Sequence, residues 1–305
     1  MSTNSTTTDH RHATRPLDAV AILVVVVLCL SWGFNQVAVK LAIGDIPPLI
    51  QAALRSVGGA VIVAAWARWR GQALLTRDGT LIVGIAAGLA FAIEFVFIYR
   101  GLVFTTATRA VLFLYLAPFF VVIGSRIVLP VDRFSLSQWL GLALSFAGMI
   151  IAFGLPTPAL DPRQFIGDLM IVGGALFWAA TTLLIKVSAL NRISAEKVML
   201  YQLVVSAPIL AVGAVIFGER MTGMPSALAL GALAYQTCWV VSVTFVFWFA
   251  LVVRYSANRL SAFTFLTPLF GVAAGHLVLN EPLTPAFAAA VALVAAGLVL
   301  VNRPR

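Results

Sequence analysis

Two ionisable side chains, Glu94 and Arg55, stand inside apolar stretches, and one aromatic-to-cation spacing occurs twice in the chain. A charged carboxylate at membrane depth costs roughly 3 kcal/mol, so such groups face a bundle interior or a wet cavity. Glu94 is therefore a candidate proton carrier or substrate ligand, the alternative being an ion pair with Lys40, Arg55 or Arg100. The Arg55 guanidinium could hold a substrate carboxylate or phosphate through paired hydrogen bonds, or it could pair with Glu94. Trp32 opens the run Trp32-Gly33-Phe34-Asn35 and precedes Lys40 by eight residues; Trp178 precedes Lys186 by the same eight. Mid-span tryptophan is unusual, because the indole N–H prefers the membrane–water interface. Its repetition points to a cavity wall, with the lysines snorkelling or standing at the two mouths.

The elements that carry these residues are apolar helices. The chain has 305 residues, 61% hydrophobic and 10% charged, against roughly 45–50% and 25% in soluble domains. Ten apolar segments run over 18–43, 47–67, 80–101, 105–128, 135–155, 167–190, 195–217, 226–252, 257–280 and 284–302. They are long enough to span a bilayer and lack the alternation of barrel strands, so the fold is an all-α integral membrane protein with ten transmembrane helices. The polar residues 1–17 are expected to form a disordered tail, and the first apolar stretch is too long for a signal peptide.

The net charge of +9 does not indicate nucleic acid, because the basic residues sit in the short connections between spans. With both termini cytoplasmic, thirteen Lys and Arg fall on the inner side and only Arg100, Arg109, Arg163 and Arg220 on the outer; that bias predicts this orientation in the cytoplasmic membrane. Two cysteines, Cys29 and Cys238, form no disulfide framework and no metal spacing. No phosphate-binding loop is present, so ATP hydrolysis is not expected. His276 lies at membrane depth without a nucleophile and acid arranged beside it in sequence, which argues against an intramembrane enzyme. No cofactor or metal is expected; the partners are a small-molecule substrate and lipid.

The proline-bearing connection 156–166 divides the spans five and five, into 18–155 and 167–302, leaving 303–305 as a cytoplasmic C-terminus. Besides the tryptophan spacing, Glu94-Phe95-Val96-Phe97 matches Thr244-Phe245-Val246-Phe247, and Arg109, Phe113, Leu116 and Pro118 match Arg259, Phe263, Leu266 and Pro268. Five is odd, so two copies must lie in opposite senses in the membrane. Inverted repeats of this kind hold substrate near the midplane between the halves. Trp32, Tyr99, Trp178, Tyr201 and Trp248, with Asn35 and Gln202 as polar groups, would wall a small-molecule pocket if they face inward. Pro118 and Pro268 are candidate hinges and Arg109 and Arg259 candidate gate residues. Gly84 and Gly88 read as helix-packing positions.

Trp32-Gly33-Phe34 with Lys40, Arg55, Pro118, the repeated Pro268 and Asn280-Glu281-Pro282-Leu283 resemble the drug/metabolite transporter superfamily, in particular its ten-helix EamA-type exporters. The chain departs from that pattern at Pro130-Val131-Asp132, where members often carry a Glu like Glu281. The resemblance implies secondary export of small metabolites such as amino acids, or of amphipathic solutes. An exchanger of phosphorylated or nucleotide-linked solutes on the same fold, with Arg55, Lys40 and Lys186 as anion clamps, is the alternative.

Overall fold

The structure, a computed structural model, describes residues 17–105, 107–129, 134–154, 161–279 and 285–303. Residues 1–16 of the predicted tail, 156–160 of the central connection, Pro130 to Asp132 and Asn280 to Leu283 fall outside these residues, as do the side chains of Gln36 and Lys40. Ten spans form, all helical. The first three are α1 (Ala19–Ala42), α2 (Pro48–Trp69) and α3 (Leu81–Phe104). The fourth is split into α4 (Ala107–Leu114) and α5 (Ala117–Val128), and α6 (Leu136–Phe153) completes the first half. In the second half α7 (Pro162–Val187) and α8 (Ala195–Ile216) are continuous. The eighth span runs through α9 (Ala227–Ala234), a π-helical stretch (Tyr235–Thr244) and α10 (Phe245–Arg254). The ninth is split into α11 (Ala257–Phe263) and α12 (Leu266–Leu279), and α13 (Pro285–Asn302) ends the chain.

The split spans follow from their prolines. Pro118 opens α5 and Pro268 falls in the first turn of α12, where each lacks the N–H that would have continued the preceding helix. Both helices restart there, at matching positions. Elsewhere the sequence supplies the caps: Asp18 accepts from Ala21 N–H, and Ser135 with Gln138 forms a reciprocal capping box.

The helices pack mostly across the halves, in a pattern that survives exchanging each span for the one five places on. The fifth span pairs with the tenth, and the second with the seventh. The third packs on the sixth as the eighth packs on the first, and the fourth on the sixth as the ninth on the first. Small residues permit the closest approaches. A side chain on Gly297 of α13 would collide with Ser145 Oγ and the Gly141 carbonyl of α6, and Tyr201 and Val205 of α8 fill the space over Gly84 and Gly88 of α3. Gly297→Val is expected to force the fifth and tenth spans apart, costing about 1–3 kcal/mol or more; a melting temperature of the detergent-solubilised variant equal to that of the parent would contradict this.

Connections on one end are tied by charge. Lys197 at the start of α8 reaches Asp78 at 2.7 Å, and Arg70 reaches Glu196 at 2.9 Å. Lys197 and Thr80 hold the Asp78 carboxyl well below the usual carboxylate range. The depressed value means this link contributes above the unfolded-state pKa and is lost only as pH falls through the lower folded value.

Candidate functional site

A cavity of about 150 Å³ lies between the halves. One water takes ~10–15 Å³ on this measure, so a small organic solute fits. Of the residues expected at a binding site, Trp32, Asn35, Arg55, Glu94, Tyr99, Trp178, Gln202 and Trp248 line it, drawn from six helices of both halves. Tyr201 is a correction: its ring covers Gly84, its hydroxyl pairs with Thr80 at 3.0 Å, and it does not line the cavity. Helical spacing explains this, since Tyr201 and Gln202 are neighbours in α8 and point about 100° apart. The cavity runs from buried Trp248 to Leu102, 40% exposed, and so opens at the end where α1 and α3 finish.

The polar inventory is small and under-used. Arg55 is 3% exposed and stacks on Phe95 at 4.2 Å, while its Nε and Nη2 have no hydrogen-bond partner among the described residues. Asn35 Oδ1, Thr181 Oγ1 and Gln202 Oε1 are likewise buried and unpartnered. Glu94 is buried within electrostatic reach of Arg55, yet among the described residues the ion pairs within 4.0 Å do not include the two together. A buried donor left unmade costs about 1–3 kcal/mol, and more when charged. Groups held open in this way are suited to a solute that brings both a negative and a positive end.

The walls are aromatic. The Trp32 indole N–H donates to Thr244 Oγ1 at 2.8 Å, and that hydroxyl in turn donates to the Val240 carbonyl at 2.6 Å. Trp32 meets Phe245 at 5.5 Å and Trp248 edge-on at 5.4 Å. Thr244 closes the π-helical stretch, a conformation frequent at functional sites. Sequence reading did not select Thr244, Phe245 or Phe249, although the internal alignment had set Thr244 opposite Glu94.

The residues expected at gates part company. Pro118 and Pro268 mark the two helix breaks. Arg109 is buried in an ion pair with Asp168 of α7: its Nε lies 3.1 Å from each carboxylate oxygen and its Nη2 meets Oδ2, while Thr105 Oγ1 donates to Oδ1 at 2.6 Å. Arg109 is 7% exposed and is therefore not a solvated helix-end charge. In the second half Tyr255 Oη donates to Asp18 of α1 at 2.7 Å and Arg259 reaches the Arg303 carbonyl at 3.5 Å. Asp18 and Asp168, Thr105 and Tyr255, and Arg109 and Arg259 are each 150 residues apart. The corner after the third span thus clasps the sixth as the corner after the eighth clasps the first. Asp168→Asn removes the carboxylate from a buried ion pair and is expected to cost about 3–5 kcal/mol; the melting temperature should fall further than for Asp78→Asn, where Lys197 keeps the Thr76 hydroxyl and carbonyl as acceptors. Lys186 does not line the cavity. Its ammonium donates to the carbonyls of Val252, Val253 and Tyr255 at 2.9, 3.0 and 2.7 Å, closing the end of α10.

Ten apolar spans around a cavity with few, inward-turned polar groups are the architecture of a multi-pass membrane protein with room for a small solute. The chain belongs to the EamA-like transporter family, which it matches over residues 19–154 and again over 165–303. It is 25% identical over 264 residues to "Uncharacterized transporter YoaV" of Bacillus subtilis (strain 168), covering 86% of this chain and 90% of that protein. It is also 25% identical over 277 residues to a "Probable amino-acid metabolite efflux pump" of Escherichia coli (strain K12), covering 88% of each. A solved crystal structure shares the fold with a TM-score of 0.80 at 21% identity, over 92% of this chain and 96% of that one.

Proposed function

We propose that this protein is a secondary exporter of small metabolites, amino acids or amphipathic solutes, working by alternating access between two inverted five-helix halves, residues 18–155 and 167–302. One observation carries the reading: Arg55 and Glu94, of opposite charge, line one aromatic-walled cavity between the halves, and among the described residues Arg55 Nε and Nη2, Asn35 Oδ1 and Gln202 Oε1 have no hydrogen-bond partner. Arg55 would take the solute's carboxylate, and Glu94 its ammonium or a coupling proton. The conserved pairing of spans under exchange of the halves, and the efflux-pump name of one relative, favour this reading. With both termini cytoplasmic, the open end of the cavity is extracellular.

The anion-exchanger alternative is weakened, because Lys186, one of its three clamp residues, is engaged by three carbonyls. The experiment is counterflow in proteoliposomes loaded with amino acids, aromatic amines or sugar phosphates, with and without a proton gradient. Accumulation driven by amino acids or amines supports the proposal. Accumulation driven only by phosphorylated solutes, indifferent to the proton gradient, would transfer the assignment to the alternative.

A further inference from the structure

The Trp32–Thr244 hydrogen bond has a counterpart position where no bond is made. In the other half the indole is Trp178, 146 residues after Trp32 and so one helical turn short of the 150-residue interval of the other matched pairs, and the residue standing in Thr244's place is Glu94, which precedes Phe95 as Thr244 precedes Phe245. The helices meet at the right level for the same contact. A side-chain carbon on Gly174, one turn before Trp178, would lie 2.9 Å from Ile98 Cγ1 and 3.4 Å from the Glu94 carbonyl oxygen. Trp178 and Glu94 both line the cavity, yet the described hydrogen bonds do not join them, and the Trp178 ring rests edge-on against Tyr115 at 6.0 Å. One conformation therefore shows the closed version of this contact in one half and the open version in the other.

Halves related by a two-fold axis in the membrane plane have a simple property. If each takes up the other's conformation, the molecule is the same but opens to the opposite face. We propose that in the opposite end state the Trp178 indole N–H donates to the Glu94 carboxylate while the Trp32–Thr244 bond opens, so that the two bonds are made alternately during turnover. This rests on the alternating-access reading above. The two acceptors differ in kind. Thr244 is neutral, whereas a carboxylate makes a hydrogen bond roughly twice as strong. An empty Glu94 thus favours the opposite end state, and a solute cation occupying it frees Trp178 and returns the carrier to the state described here. Trp178 is on this view a positioning residue for Glu94.

The test reads the population of the opposite state directly. Val252 stands 150 residues after Leu102 and is fully buried here, at the closed end. Val252→Cys, in a Cys238→Ser background with Cys29 buried, is labelled in purified protein with a sulfonated maleimide. Its rate follows the fraction of molecules open at that end. A hydrogen bond of ordinary strength shifts such a population about 2–10-fold. Thr244→Val and Trp32→Phe are expected to speed labelling by that factor, Trp178→Phe and Glu94→Leu to slow it, and Thr244→Ser to match the parent. Melting temperatures near the parent's establish that each variant is folded. If both pairs of variants move the rate in the same direction, or Trp178→Phe leaves it unchanged, the Trp178–Glu94 bond is refuted. If Val252→Cys is never labelled in any folded variant while Leu102→Cys is, alternating access itself fails.

Discussion

Replacing Arg55 by lysine is expected to lower affinity for carboxylate-bearing solutes by about 10–100-fold while leaving the protein folded and inserted. The positive charge survives in that variant. What goes is the planar fork, which can bind both oxygens of a carboxylate and at the same time stack on Phe95. A hydrogen bond to a charged group contributes about 1.5–3 kcal/mol, which at 1.4 kcal/mol per decade gives the stated range. The measurement is the concentration dependence of counterflow for a solute with a carboxylate and for its amide. A tenfold loss confined to the acid supports contact between Arg55 and substrate. An equal effect on both solutes, relieved by removing Glu94 as well, would make Arg55 a structural counter-ion instead.

Glu94→Gln should abolish or uncouple transport, a loss of more than tenfold, with normal expression. The amide has nearly the same shape, so packing around the third span is kept. Only the negative charge and the exchangeable proton are lost. Stability should hold or rise, since the parent holds a buried carboxylate without a close ion-pair partner among the described residues, and removing an uncompensated buried charge is favourable. Transport by this variant with the parent's dependence on the proton gradient would rule out Glu94 as the proton carrier. Unchanged transport together with a lower melting temperature would assign it a structural role.

Most of the scaffold could be read from the chain because membrane depth leaves so few options. Twenty apolar residues without charges must be a helix, and ten of them with one proline-marked interruption set the division into halves. The split at Pro118 and Pro268 was legible for the same reason, since a missing N–H acts locally. Glu94 and Arg55 could be placed in a cavity because an isolated charge in hydrocarbon has nowhere else to go. Tyr201 could not be excluded in this way: an aromatic ring is equally stable against a glycine or at a cavity wall, and only the rotation of α8 decides. The Asp168–Arg109 pair was missed because its partners lie in different halves. Nothing near either residue in sequence signals the other; only the equal interval from Asp18 to Asp168 and from Thr105 to Tyr255 could have raised it. The π-helical stretch has no sequence signature that period-based reading detects, and with it went Thr244.

The opposite signs of Arg55 and Glu94 also bear on what the membrane voltage can do. Moving one elementary charge through 100 mV is worth about 2.3 kcal/mol, enough to tilt an equilibrium some fiftyfold. A cation and an anion that travel together through the same field do no such work. While both are ionised, the empty site is therefore electrically silent, and a zwitterionic passenger keeps it so. A solute with net charge would instead give the voltage purchase on the loaded carrier alone, so that current, absent from the return step, would report the valence of the cargo.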